Sequence, residues 1–481
     1  MKRCISVLVV AVMVAALLVV PAAAESSALE GNFTFFSPAA EVNTAYPFSY
    51  NEADFEAGTV YNHHLAQMSL RLAMAAAKVT PENVTALYDT LGFSYTTDSI
   101  HYPDPAFDYD AGETTIGYAI GSKTAADDEG DYTLVAIAMR GHGYGDEWGS
   151  NFEMGEGARH AGFERSAKQV TDSVFAYMES AKLSGKRVKF WITGFSRAAA
   201  VANVTAHNLN AAVYDGTLAI SPDDVFAYTF ESPRTVTTDE PGFDSDKNIF
   251  NIINPADIVT QIPPAEWGYV RYGIDCPLPT DEDSEDYAVK KAREIAEMEK
   301  ILAAAGMGDP AAEAETRSAS IDNQTSRNIQ FVSDLAATFV DHQNYADNCE
   351  RDMCNLVVSA LGEDGNLLAL LLNNPFPNAL EVIFGYMANF ETVFNSHYPE
   401  LELAWMDALT EEELSPTPSV IPTVLVGDAN KDGAVNLKDV LVMRKYLSGM
   451  DVDIDLVAGD MNADSAVNMK DVLALRKELA K

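Results

Sequence analysis

The segment that most limits the fold runs from Val188 to Leu209. An apolar strand, Val188 to Thr193, enters Gly194-Phe195-Ser196-Arg197-Ala198 and continues at once into an alanine-rich helix, Arg197 to Leu209. A strand that turns so sharply into a helix leaves Ser196 on a crowded bend, so the residues two before and two after it must be small, as Gly194 and Ala198 are. Around it, Thr115 to Ile120, Tyr132 to Met139, Val225 to Phe230 and Asn248 to Ile253 read as strands, and Phe163 to Leu183 as a helix. Strands alternating with helices predict an α/β fold, a sheet flanked by helices. The charged stretch Asp281 to Ala305 has apolar residues at helical spacing and reads as a surface helix or as a cap over a pocket.

A serine on such a turn is an ordinary turn residue unless partners surround it. In a hydrolase of this topology an acid and then a histidine follow the serine along the chain. His63, His64, His101, His142 and His160 precede Ser196, and His207 lies on the helix that the turn opens, which leaves His342 and His397. Strand Asn248 to Ile253 ends in Asn254-Pro255-Ala256-Asp257, placing Asp257 where a carboxylate can orient an imidazole. The amide of Arg197, at a helix N-terminus, faces a developing oxyanion.

The ordered segments Arg140 to Gly143, His160 to Phe163, Ile192 to Asn203, Thr229 to Val236, Asn254 to Pro264 and Asp341 to Tyr345 resemble the class 3, or fungal-type, triacylglycerol lipases over Tyr61 to Tyr345. The resemblance implies an α/β-hydrolase fold and ester hydrolysis through an acyl-enzyme. It puts the nucleophile on Ser196, the acid on Asp257, the base on His342, and the oxyanion amides on Arg197 and His142. His397 is then a surface or core residue, and His160 a structural support of the oxyanion loop. His142 stands where the family has Ser or Thr, Ala198 and Ala199 where glycines are common, and Glu231 in place of a common glycine. The His142 and alanine departures support the competing reading, a non-catalytic binding module on the same fold.

Near the C-terminus, Gly427 to Leu447 and Gly459 to Leu479 repeat one another. Asp428, Asn430, Asp432, Asn436 and Asp439 fall at positions 1, 3, 5, 9 and 12 of a calcium loop, with the Ala434 carbonyl at position 7; the second copy offers Asp460, Asn462, Asp464, the Ala466 carbonyl, Asn468 and Asp471. Two D-x-N-x-D loops, each followed by one helix, resemble a type I dockerin over Val426 to Lys481. That resemblance implies two structural calcium ions and docking to a cohesin domain of a scaffoldin; for the catalysis itself no cofactor is expected. Leu437-Lys438 and Met469-Lys470 would face the cohesin, in either of two orientations; the competing reading of Leu437 and Met469 is small-domain core.

Lys2 and Arg3, the apolar run Ile5 to Val20 and Ala22-Ala23-Ala24 have the build of a secretory signal cleaved after Ala24, so the expectation is an extracellular protein held to a complex or cell surface by its dockerin. The domain reading is 1–24 signal, 25–414 hydrolase, 415–425 a Pro/Ser/Thr linker and 426–481 dockerin. Cys276, Cys349 and Cys354 outlast processing and allow one disulfide, Cys276 to Cys349 or Cys354, or three thiols. Lys plus Arg number 32 against 72 Asp plus Glu, a net charge of −40 that repels nucleic acid and anionic lipid. The substrate expected is an ester, of lipid or of acylated polysaccharide.

Overall fold

A computed structural model describes residues 28–103, 116–141, 150–240, 242–280, 285–320, 324–339, 341–347, 396–414, 416–418, 423–424, 427–430, 435–450, 452, 454–461 and 467–479. The signal segment, His142, Asp432, Ala434, Asn462, Asp464, Ala466, Cys349, Cys354 and part of the linker lie outside these residues.

Strands β1 (Leu29–Ser37) and β2 (Val42–Tyr50) form an antiparallel hairpin. The main sheet is built from β3 (Ile100–His101), β4 (Tyr118–Asp127), β5 (Gly130–Met139), β6 (Val188–Phe195), β7 (Val225–Phe230), β10 (Ile249–Ile253), β12 (Ile274–Pro277) and β13 (Thr417–Pro418), in the order β13-β12-β10-β7-β6-β5-β4-β3. Short ribbons pair β8 (Val236–Thr237) with β11 (Tyr269–Val270) and β9 (Gly242–Phe243) with β14 (Thr423–Val424). The neighbours β5, β6, β7, β10 and β12 pair in parallel, and the edges beyond them are antiparallel. All eight residues of β6, six of β7 and five of β10 are buried, as expected of strands covered on both faces. Lys189 within β6 is tolerated because its ammonium pairs with Asp127 at 3.0 Å and donates to the Phe55 carbonyl at 2.5 Å.

One face of the sheet is closed by the hairpin and helices α1 (His63–Ala76) and α2 (Glu82–Leu91), where Phe33, Phe35, Leu70, Trp191 and Phe226 share a core. The Trp191 indole N–H donates to Ser69 Oγ at 2.7 Å, locking β6 to α1. The other face carries α3 (Ala161–Ser180) and α4 (Arg197–Tyr214), with Val170, Val174, Ile137, Ile192 and Val201 in the core. These helices are the β5-to-β6 and β6-to-β7 crossovers, which put the turns after β6, β7 and β10 at one edge. Each element read from the sequence is present with ends moved by a few residues, except that the first strand begins at Tyr118 and runs on to Asp127.

Helix α5 (Glu285–Ala304) buries Met298, Ile301 and Leu302. It lies against a later helix, Pro399–Ala408, with the rings of Tyr287 and Trp405 6.2 Å apart and Arg293 paired to Glu413 at 2.6 Å. Next come α6 (Pro310–Ser320) and α7 (Gln324–Thr338); α7 sets Val332 and Phe331 against Ile258 and Val259, and Asn328 Nδ2 donates to the Ala256 carbonyl at 2.7 Å. The short α8 (His342–Tyr345) and α9 (Pro399–Ala408) complete this part. The Pro/Ser/Thr segment does more than link, since Thr417–Pro418 adds the edge strand to β12, a place where a proline costs no ladder bond.

At the C-terminus α10 (Leu437–Leu447), the short α11 (Leu456–Gly459) and α12 (Met469–Glu478) enclose Ala429, Val440, Met443, Val472 and Leu475. Leu437 and Met469 are not part of that core; they are 70% and 62% exposed. Cys276 is a free thiol buried on β12. No helix among the described residues is long and apolar enough to cross a membrane.

Candidate active site

Ser196 sits between β6 and α4 with φ 60° and ψ −131°, a conformation that costs a non-glycine residue about 1–3 kcal/mol and concentrates at functional sites. The turn is held by the Ser196 amide donating to the Phe230 carbonyl at 2.9 Å and the Ala199 amide donating to the Ser196 carbonyl at 2.8 Å. Gly194 is required, because a Cβ there would collide with the Ala198 carbonyl. Gly141 packs as tightly on the turn from the β5 side, where a Cβ would collide with the Phe195 carbonyl.

The loop after β10 folds on itself. Asn254 Oδ1 accepts the Ala256 amide at 2.9 Å and Asp257 Oδ1 accepts the Val259 amide at 2.9 Å, an Asx arrangement that fixes the Asp257 side chain. Asp257 is fully buried, and its second oxygen meets His397 Nδ1 at 2.6 Å. His397 Nε2 lies 2.8 Å from Ser196 Oγ. With the proton on Nδ1 donated to the carboxylate, Nε2 is an acceptor for the serine hydroxyl. The imidazole rests 5.4 Å from the Phe195 ring, and Asn254 Nδ2 donates to the Ser396 carbonyl at 3.2 Å, tying the histidine turn to the acid loop.

The expectation that His342 takes this place is corrected by the geometry. Asp341 caps the short helix α8 by accepting the Asn344 amide at 2.8 Å, and Tyr345 packs against Trp267 and Phe339. That packing turns His342 toward Tyr269, whose ring it meets edge-on at 5.6 Å, and its buried Nδ1 has no hydrogen-bond partner among the described residues. Residue order alone had left His397 open. Its signal is the run Pro399 to Met406 immediately after it, whose Leu401, Leu403, Ala404, Trp405 and Met406 are all buried and anchor the turn.

The Arg197 amide is the first in α4, where backbone N–H groups have no intrahelical acceptor. Its side chain points away, buried, with Nη2 donating to Ser150 Oγ at 2.8 Å and Ser166 Oγ at 2.9 Å. His142 lies outside the described residues; Arg140, two residues before it, donates to the Pro103 carbonyl at 3.0 Å and holds the end of β5 in place. His160 stacks on Phe163 at 3.9 Å with Nε2 3.2 Å from the Asn151 carbonyl. Burial pushes its imidazole down to about 3, so it is a neutral structural donor.

In the C-terminal repeats Asp439 and Asp471 are fully buried, and Asp428 and Asp460 nearly so. Asp439 Oδ2 accepts the Asn436 amide at 2.7 Å and Asp471 Oδ2 accepts the Asn468 amide at 2.8 Å, the same closure in both copies. Among the described residues no group of three or more acids, histidines or cysteines already converges on a metal position. The donor set nevertheless consists of hard oxygens only, and four buried carboxylates in a domain this small fit a hard divalent cation.

Residues 136–267 match the family model of lipase (class 3), and residues 426–480 match the dockerin type I domain. The first match contains Ser196 and Asp257 and ends before either histidine. No curated protein sequence matches the chain. Among solved structures, the Rhizomucor miehei triacylglyceride lipase is similar at 16% identity over 47% of this chain and 83% of that one, with a TM-score of 0.29. The mono- and diacylglycerol lipase from Aspergillus oryzae is similar at 16% identity over 47% and 82%, with a TM-score of 0.28. Superpositions this loose carry nothing about the chemistry here. A helix-flanked, mostly parallel sheet thus carries the segment that is similar to class 3 lipases, and the C-terminal repeats lie in the segment that is similar to type I dockerins.

Proposed function

We propose that the protein is a secreted carboxylic ester hydrolase in which Ser196 is the nucleophile, His397 the general base and Asp257 the acid. The observation that carries this reading is the unbroken chain from Asp257 through His397 Nδ1 and Nε2 to Ser196 Oγ, at 2.6 and 2.8 Å. His397 takes the serine proton as Oγ adds to the ester carbonyl, while the amides of Arg197 and His142 receive the oxyanion. The imidazolium, held by Asp257, then protonates the departing alkoxide. Water attacks the acyl-enzyme with His397 again accepting a proton, and the acid is released as Ser196 regains its hydrogen.

The dockerin supplies the address. Type I dockerins bind calcium, and Asp428, Asn430, Asp432, the Ala434 carbonyl, Asn436 and Asp439, with Asp460, Asn462, Asp464, the Ala466 carbonyl, Asn468 and Asp471, would hold two ions that fix the loops against the helices. The partner is a cohesin on a scaffoldin outside the cell. That setting favours acetyl, feruloyl or related esters of plant cell-wall polysaccharide over free fat. Rates on p-nitrophenyl acetate, butyrate and palmitate, methyl ferulate and acetylated xylan separate the two: activity confined to short acyl chains and xylan supports the cell-wall reading, and a preference for palmitate supports a lipase acting on fat. The non-catalytic reading requires no turnover on any of them and no fluorophosphonate labelling of Ser196.

A further inference from the structure

Behind Asp257 lie two more acids that the proposed reaction does not use. Glu231 follows Phe230, the residue whose carbonyl accepts the Ser196 amide, and its own amide donates to the Ile252 carbonyl at 3.0 Å. It holds φ 53°, a left-handed backbone that non-glycine residues seldom adopt, and its Oε2 accepts the Asn254 amide at 3.2 Å. Glu402 projects from α9, the helix that follows His397. Glu231, Glu402 and Asp257 are each at most 1% exposed, and the Glu231 carboxyl is in hydrogen-bonding contact with both of the others. Among the described residues, the charged or titratable groups that face Glu231 are Asp257 and Glu402; those that face Glu402 are Glu231, Asp257 and His397.

Ionised carboxylates only accept, so three of them cannot bond to one another; the contacts require protons between the oxygens. Among the described residues no N–H or hydroxyl donates to either buried oxygen of Glu402, which leaves a carboxyl proton as their means of satisfaction. Burial and the neighbouring acids push Glu231 well above the usual carboxylate range, and burial pushes Glu402 up as well.

We propose that Glu231 is a positioning residue, a neutral carboxyl that donates its proton to Asp257 and holds that carboxylate in line with His397, with Glu402 as the neutral partner behind it. The inference rests on the proposed triad. Asp257 then accepts from the Val259 amide, from His397 Nδ1 and from Glu231, so its orientation is fixed from three sides and no net proton transfer is needed. It also gives a function to the glutamate that stands where the lipase resemblance has a glycine.

The test measures kcat and KM for p-nitrophenyl butyrate across the acid and neutral pH range in wild type, Glu231→Gln, Glu231→Ala and Glu402→Gln, with Ser196→Ala and His397→Ala alongside. Glu231→Gln, whose amide N–H replaces the carboxyl proton, is expected to hold kcat near wild type and to leave the acid limb of kcat/KM in place. Glu231→Ala is expected to lower kcat about 10- to 100-fold, the scale of losing an outer hydrogen-bond partner, with little change in KM and an upward shift of the acid limb. Ala variants with wild-type kcat and limb, or Gln variants as poor as Ala, overturn the inference. If Glu231→Ala does not fold, the infrared band of a buried protonated carboxyl decides: it is expected in wild type and reduced in Glu231→Gln, and its absence from wild type overturns the proposal. Activity surviving in Ser196→Ala or His397→Ala defeats the triad itself, whereas inactive triad variants with indifferent Glu231 variants defeat only this inference.

Discussion

His397 Nε2 lies 2.8 Å from Ser196 Oγ although 201 residues separate the two in the chain. The contact is made by two anchors: the strained turn after β6, pinned to the Phe230 carbonyl, and the His397 turn, pinned by the Asn254 side chain and the buried face of α9. Neither anchor is local in sequence, so the site exists only in the folded chain.

Gly141, at the start of the loop that carries the proposed oxyanion donor His142, packs directly on that turn. A methyl group there would strike the Phe195 carbonyl, so Gly141→Ala should displace the loop while leaving the sheet intact. The expected result is a fall in kcat of about 10²-fold, the scale of losing one oxyanion donor, with a small change in melting temperature. Steady-state kinetics and thermal unfolding of the same preparation check it.

The buried acids make stability depend on pH. Burial raises Glu402 in the folded state up to about 7, above the ordinary value it has when unfolded. The folded protein therefore holds the extra proton, and stability is lost as pH rises from the ordinary carboxylate range through about 7. Glu402→Gln, permanently neutral, should match wild type in acid and exceed it in melting temperature above neutrality. Thermal unfolding of both proteins over that range checks the sign.

Leu437 and Met469 stand exposed at corresponding places on the two dockerin repeats. Replacing either with Asp should leave cohesin binding largely intact, because the other copy can present the same face after a half-turn of the domain. The double substitution should abolish it, and calcium chelation should do so in wild type. Calorimetric titration of a cohesin into each variant gives the answer.

Much of this arrangement was legible in the chain, and the exceptions have physical causes. The elbow was readable because a buried strand meeting a small-residue turn has few alternatives, and the Asp257 loop because it follows a strand directly. The histidine partner of Ser196 was not: His342 belongs to a motif-like segment, but Tyr345 is drawn under Trp267 and takes His342 with it toward Tyr269. Tertiary packing, absent from local pattern, sets His397 rather than His342 between Asp257 and Ser196. The N-terminal hairpin also escaped the pattern, though its alternation of buried Phe33 and Phe35 with less buried neighbours is that of a strand with one face in the core. Glu231 looked like a departure from a glycine position, and only the fold brings it to Asp257.

The most direct measurement is the rate of p-nitrophenyl acetate hydrolysis by wild type, Ser196→Ala, His397→Ala and His342→Ala, each verified as folded. Loss of about 10⁴- to 10⁶-fold is expected for the first two variants, as when a triad member is removed, with His342→Ala close to wild type. Activity lost in His342→Ala and kept in His397→Ala would contradict the site described above.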